Sequence, residues 1–465
     1  MSRPRVPYAA KSSTPAWSSG TGTVDPVRST AHEVGAVAGA ARIPLDSRSG
    51  ARGPGARPGG ERATTTAMRI LMLTTEYYGI GGVQTYGQLC CHALCSASVE
   101  VDVLAVRASG PPMLPCPGRY LGDDGHRSTL WMKLRFAAAA LGANGRYDLV
   151  ICAHVAVAPL GLVIRLLRGI PYVVVGHGVD VWGRLGLARR TALRVATRVL
   201  AVSQFTANML ALQQRVPRAR LRVLYPAAPP ALANELRVHR RDETLTLLTV
   251  ARLAAQARHK CCDTVIRALP LLIAAGIRIR YVIVGDGSDR PRLTALARAL
   301  GVGSFVTFRG RVTPSELARE YRRCDVYVMP SVTECRAGQW RGEGLSLTYL
   351  EAAAFGCVVV AGSGGGAPET VHDGVTGVLV DGRDVGALTG MLLRLARDPA
   401  LRERMGHAGV EWVRTRFGFR RFRQGLLDVA WAVRARGFES SPSTADAEHM
   451  PAVSTPQGSA GEWPR

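Results

Sequence analysis

Glu343 and Glu351 stand eight residues apart in the stretch Arg341-Gly-Glu-Gly-Leu-Ser-Leu-Thr-Tyr-Leu-Glu-Ala-Ala-Ala354, and the chemistry open to the chain concentrates there. An apolar run closing with Val328-Met-Pro-Ser331 leads into a polar loop, and the apolar spacing from Ser346 onward predicts a helix that carries Glu351 on its second turn. Two carboxylates then face one cleft. Where strands hand over to helices in an open α/β sheet, free backbone N–H groups favour an anion such as a phosphate. Carboxylates beside them accept hydrogen bonds from hydroxyls and repel further phosphate. A sugar nucleotide, which offers both kinds of group, fits better than a bare polyphosphate. Two glutamates at this spacing also arise by chance in helical proteins, so the reading needs further residues.

Several follow the same pattern of a buried strand ending in a polar or glycine-rich turn. Cys357-Val-Val-Val-Ala361 reads as a strand, and Gly362-Ser-Gly-Gly-Gly-Ala-Pro-Glu369 is a loop that exposes its backbone and ends in a third carboxylate. Val250-Ala-Arg-Leu253 ends a strand at Arg252, with Lys260 eight positions on. Either cation is, on the bland reading, a surface charge. Yet Lys11, Lys133 and Lys260 are the only lysines in the chain, and a compact ammonium differs from a guanidinium fork when it approaches a crowded phosphate oxygen. Val284-Gly-Asp-Gly287 is another strand-to-loop turn. Gly79-Ile-Gly-Gly-Val-Gln-Thr-Tyr86 opens a helix after the first strand, but as a dinucleotide fingerprint it lacks the third glycine. In Gly176-His-Gly-Val-Asp180 a histidine sits between two glycines at a strand's carboxyl end, which turns it toward the cleft, with Asp180 close behind. A lone histidine is more often a satisfied core or surface residue.

Taken together, Glu-x7-Glu followed by Gly-Gly-Ala-Pro-Glu resembles glycosyltransferase family 4, the retaining enzymes of the two-domain GT-B fold. The resemblance covers roughly residues 68–437 and is densest from Leu247 to Asp381. It implies that Glu343 holds the hydroxyls of the transferred sugar and Glu351 those of the ribose. It pairs Arg252 and Lys260 on the donor diphosphate, sets His177 against the donor sugar, and closes Gly81 and Gly82 over the pyrophosphate. Gly285, the backbone of Phe308-Arg309-Gly310-Arg311-Val312 and that of Gly344, Leu345, Ser346 and Leu347 complete the donor site. Glu343, His177, Arg252 and Lys260 are the expected catalytic group. No metal and no cofactor are expected, the donor being a GDP- or UDP-linked sugar acting as substrate. Three departures stand out: Glu343-Gly-Leu-Ser346 where the family has Glu-Gly-Phe-Gly, Cys261 where a glycine follows the lysine, and Tyr225-Pro-Ala-Ala-Pro229 at the hinge. The pattern is nearest to bacterial phosphatidylinositol mannosyltransferases, which suggests GDP-mannose and a lipid-linked or glycan acceptor. Two alternatives are a nucleotide-sugar epimerase of the same shape, which would act with no acceptor present, and a nucleotide-binding module without catalysis.

The elements that must position these residues are legible in the rest of the chain. Its 465 residues with 47% hydrophobic content allow two substantial cores. Apolar runs alternate with helical patterns twice, which predicts an α/β protein of two Rossmann-like, doubly wound domains facing a central cleft. Strands are expected at 70–73, 101–106, 149–152, 172–175, 199–202 and 221–224 in an acceptor domain spanning 68–228. A Pro/Ala-rich linker occupies 229–243. The donor domain, 244–416, has strands at 245–250, 281–284, 306–308, 326–329, 358–360 and 378–380. A helix over 417–437 is expected to cross back to the first domain. Residues 1–67 and 438–465 are polar and rich in Pro, Gly and Ser, hence expected to be disordered, and Met68 is a candidate initiator.

The net charge of +24 is carried almost wholly by arginine and is read as a coding bias rather than a nucleic-acid footprint. A helix over Arg184–Arg198 and the segment Trp131-Met-Lys-Leu-Arg-Phe136 mix basic and apolar residues and suit peripheral contact with an anionic membrane. Ten cysteines without zinc spacing read as reduced thiols of a cytoplasmic protein.

Overall fold

Each expected alternation builds its own parallel sheet. The computed structural model describes residues 67–79, 81–107, 119–120, 129–143, 146–228 and 244–436. The first half runs β1 (Arg69–Glu76), α1 (Gly82–Cys95), β2 (Glu100–Arg107), β3 (Arg119–Tyr120), α2 (Thr129–Gly142), β4 (Leu149–Cys152), α3 (Ala158–Arg168), β5 (Tyr172–Gly176), α4 (Val179–Trp182), α5 (Leu187–Val195), β6 (Arg198–Ala201), α6 (Gln204–Gln213) and β7 (Leu221–Val223). Its sheet has the order β3-β2-β1-β4-β5-β6-β7, every pairing parallel. Strands covered on both faces read as unbroken apolar runs, and β4 and β5 are buried at every position.

The second half contains β8 (Leu245–Val250), α7 (Cys262–Ala274), β9 (Ile279–Val284), α8 (Arg290–Ala299), β10 (Val306–Gly310), α9 (Pro314–Arg323), β11 (Val326–Met329), the hairpin β12 (Glu334–Arg336) and β13 (Gln339–Arg341), α10 (Leu347–Ala354), β14 (Val358–Gly362), β15 (Gly377–Val380), α11 (Val385–Arg397) and α12 (Pro399–Arg416). Its sheet order is β10-β9-β8-β11-β14-β15, again wholly parallel. Strand order reverses between β1 and β4 in one sheet and between β8 and β11 in the other. Such reversals open a crevice at the strands' carboxyl ends. The loop after β8 carries Arg252 and Lys260, and the loop after β11 carries Glu343, so the crevice of the second sheet is flanked by residues the sequence singled out.

A last helix, α13 (Phe419–Arg436), returns to the first half. Phe422 packs edge-on against Tyr86 of α1 at 5.5 Å, Phe419 lies 5.0 Å from the His92 ring, and Arg434 reaches Asp148 at 3.3 Å. Several expectations shift. The basic helix expected over 184–198 is only α5, because Gly183 and Gly186 break it at one end and Arg198 already begins β6. Neither β3 nor the β12–β13 hairpin follows from an apolar pattern. The 149–164 apolar run divides into β4, a short 3-10 turn at Val155–Val157 and α3. The tails at 1–66 and 438–465 and the linker at 229–243 lie outside the described residues. Among those described, no helix is long and apolar enough to cross a membrane.

Candidate functional site

Lys260 ends the 3-10 turn Ala255–Lys260, and its Nζ donates to Glu343 Oε1 at 2.5 Å. Both side chains are largely covered, 17% and 11% exposed. His259 Nε2 lies 3.4 Å from the same oxygen. Burial alone would push the Glu343 carboxyl upward, but the Lys260 charge and the His259 contact outweigh it and hold the group down at about 2. The carboxylate is therefore charged throughout the physiological range, and its position at the lip of α10 is fixed by an ion pair rather than by solvent.

Arg252 behaves differently. It is exposed and forms no ion pair with a described residue, which leaves its guanidinium free to turn toward an incoming anion. Beside it, Gly285 has φ +126, and a Cβ there would meet the Ala251 carbonyl at 1.9 Å, so only glycine permits this approach. Gly285 N donates to Gly310 O at 2.8 Å. Arg309 of this segment is committed to Glu320 at 2.9 Å.

At the head of α10, Leu345 is buried in the core, Ser346 is the N-cap residue, and the first-turn N–H groups of the helix are free for an anion. Gly82 of α1 faces Leu347, whose Cδ1 would lie 3.9 Å from a Cβ on Gly82. The two expected phosphate-binding turns are thus neighbours. Glu351 stands apart from the Lys260–Glu343 pair: it is 5% exposed, accepts from the Tyr321 hydroxyl at 2.7 Å, and is pushed upward in pKa by burial.

His177 follows β5, with its ring edge-on to Tyr86 at 5.3 Å and its Nε2 2.7 Å from Ala153 O. Burial lowers its pKa to about 4 despite that carbonyl, so the ring is neutral, with the Nε2 proton committed to Ala153. Asp180 accepts from the His177 backbone N at 3.1 Å and sits 3.8 Å from His154 Nε2.

The chain matches two family models, "Glycosyltransferase Family 4" over residues 80–232 and "Glycosyl transferases group 1" over residues 234–412. It is 31% identical over 373 residues to a GDP-mannose-dependent alpha-(1-6)-phosphatidylinositol monomannoside mannosyltransferase of Mycobacterium tuberculosis, covering 74% of this chain and 93% of that protein. The chain belongs to glycosyltransferase family 4. A mannosyltransferase of the same description from Mycolicibacterium smegmatis is 36% identical over 283 residues, covering 58% of this chain and 72% of that one. Among solved structures, Anabaena HepE in complex with UDP and glucose superposes with a TM-score of 0.63 at 17% identity, covering 78% of this chain and all of that one, which supports the GT-B fold. The relatives are transferases, which leaves the epimerase and non-catalytic readings without support.

For this glycosyltransferase the departures from family glycines have a physical consequence. Cys261 has φ +55 and Ser346 φ +78, so both positions keep the left-handed backbone that glycine adopts without strain.

Several contacts had no sequence signal. Gly344 lies so close to the first half that a Cβ on it would sit 1.8 Å from His177 O, and one on Gly178 would sit 2.9 Å from Gly344 Cα. Gly366 packs against Gly344 O in the same way, at 1.9 Å. Glu369 crosses the cleft to the start of α6, accepting from Gln204 N at 2.7 Å and Phe205 N at 2.8 Å, while the Tyr225 hydroxyl donates to it at 2.8 Å. Ser203, the expected N-cap, accepts from Thr206 N at 3.1 Å, so residues from both halves cap one helix. Glycine is thus required where the halves meet. Gly344→Ala, whose Cβ would clash with the His177 carbonyl, is expected to lower the melting temperature by several degrees, to displace Glu343 and to cut turnover on the order of 10²-fold, checked by calorimetry and steady-state rates on the same preparation.

Proposed function

We propose that this glycosyltransferase transfers a hexose, mannose from GDP-mannose, with retention at the anomeric carbon and without a metal, to a phosphatidylinositol-based or related glycan acceptor. The observation that carries it is the Lys260–Glu343 ion pair at the free N-terminus of α10, on the lip of the second sheet's crevice. The names of the mycobacterial relatives support the donor and the acceptor class.

In this reading the bond from the anomeric carbon to the diphosphate oxygen breaks, and a bond to the acceptor oxygen forms on the same face. The acceptor's hydroxyl proton leaves with the diphosphate. Negative charge grows on the leaving group, and the Lys260 ammonium, the Arg252 guanidinium and the first α10 amides are placed to meet it. Glu343 accepts from hydroxyls of the hexose and fixes the ring. Glu351 sits on α10 for the ribose, with Gly285 and the Gly310 turn toward the base. His177, being neutral, presents its ring to the sugar without adding charge.

The acceptor side supports a lipid. Arg165 of α3 donates to Val195 O at 2.8 Å and Arg168 to Ala143 O at 2.6 Å, which ties α3 to the end of α5 and to the residue after α2. Leu166 and Leu167 of α3 and Leu187 at the start of α5 are 75%, 70% and 83% exposed, each in a helix that carries arginines. Apolar side chains that insert between lipids, ringed by cations that meet anionic headgroups, suit peripheral docking at the inner face of the cell membrane.

Glu343→Gln and Lys260→Ala are each expected to lower turnover by about 10²–10³ with GDP-mannose and a lipid extract, with EDTA leaving the parent's rate unchanged. Near-normal turnover in both variants would remove the site assignment, and a preference for a UDP-sugar in the same panel would overturn the donor. In co-sedimentation, the protein should bind vesicles containing phosphatidylglycerol more tightly than phosphatidylcholine vesicles. Leu166→Ser/Leu167→Ser/Leu187→Ser should weaken that binding while leaving GDP affinity intact.

A further inference from the structure

Lys260 is asked to do two things with one ammonium. In this structure its Nζ is spent on Glu343 Oε1, whereas the transfer reaction read from the site turns it toward a departing diphosphate. A carboxylate covered as deeply as Glu343 is poorly hydrated. Without a donor it would be driven to take up a proton or to shift, and either change would spoil its hold on the sugar.

A second donor is already present. His259, immediately before Lys260, has a side chain only 12% exposed and points Nε2 at the same carboxylate oxygen, 3.4 Å away. Its Nδ1 is buried with no hydrogen-bond partner. A ring nitrogen facing neither donor nor acceptor is the one to leave bare, so a ring proton belongs on Nε2, directed at Glu343. The backbone fixes the ring's origin. His259 O accepts from Val332 N at 2.8 Å and from Cys261 Sγ at 3.4 Å, which joins the turn after β8 to the segment after β11 that leads to Glu343. Cys261, in its left-handed conformation, ends the turn and sets the direction in which His259 and Lys260 project. An orphaned buried nitrogen costs stability, and the polar contact this ring makes with Glu343 acts against that cost.

We propose that His259 is a positioning residue that keeps Glu343 charged and oriented while Lys260 engages the donor diphosphate. The distance of 3.4 Å is that of a waiting contact: with Lys260 drawn away, the Nε2–H becomes the donor nearest to Oε1. The inference rests on the roles proposed for Lys260 and Glu343.

The test uses the full chain, with GDP-mannose as donor and lipid extract as acceptor, and reads kcat, donor KM and melting temperature. His259→Ala is expected to lower kcat roughly 10- to 100-fold, the loss of one hydrogen bond to a charge, with donor KM within about threefold of the parent. His259→Gln, whose amide N–H reaches the place of Nε2, should restore kcat to within about threefold. His259→Leu, which fills the space without a donor, should lose as much as His259→Ala, and it stands in if the alanine variant fails to fold. Normal kcat in His259→Leu, or equal damage in His259→Gln and His259→Leu, overturns the proposal alone, provided Glu343→Gln and Lys260→Ala are impaired in the same assay. If those two are also near normal, it falls together with the site assignment.

Discussion

A buried carboxylate held by one ammonium sets the terms for everything around it. Glu343 is charged in a place where burial opposes charge, so Lys260 must reach it, and the turn and loop that carry these residues must be held to within a bond length. That demand is met by the topology of the second sheet. Lys260 follows β8 and Glu343 follows β11, neighbouring strands on either side of the order reversal, and β11 pairs directly with β8. For the proposed reaction the pair would supply a cation beside the start of α10, already desolvated, and a carboxylate that is an acceptor and nothing else. Exposed Arg252 completes it as the group free to move.

The second constraint is closeness. Part of the contact between the halves is backbone against backbone, with Gly344 against His177 O and Gly178, and Gly366 behind it against Gly344 O, where no Cβ fits. Glu369 then caps α6 of the first half from the glycine loop of the second, and burial raises its pKa against the hydrogen bonds that favour its charge. The loop expected to surround the donor is therefore the loop that grips the first half. The α13 helix adds a second tie between the halves, through Phe422 on Tyr86, whose ring also meets His177.

Much of this was legible in the sequence because it depends on local patterns. Apolar runs with glycine-rich exits gave the parallel strands and their carboxyl ends, and the rarity of lysine drew attention to Lys260. What escaped depends on distance through space. His259 looks like any polar residue in a basic turn until the fold sets it over Glu343. Glu369 was visible as the end of a loop, but not its reach to Gln204 and Phe205, 165 and 164 residues away. The β12–β13 hairpin has three-residue strands with no alternation, and it is held by Trp340 against Trp182 of the first half, 6.3 Å between ring centres. The glycine departures at Cys261 and Ser346 could be seen, but only the backbone angles show that both residues here adopt positive φ.

The most direct test of the central claim is a crystal structure with GDP-mannose or GDP bound. The account predicts the diphosphate at the start of α10, with Lys260 Nζ and the Arg252 guanidinium at about 2.7–2.9 Å from its oxygens, and with Glu343 facing the hexose. A nucleotide bound elsewhere, with Lys260 still closed on Glu343 and Arg252 still in solvent, would contradict it.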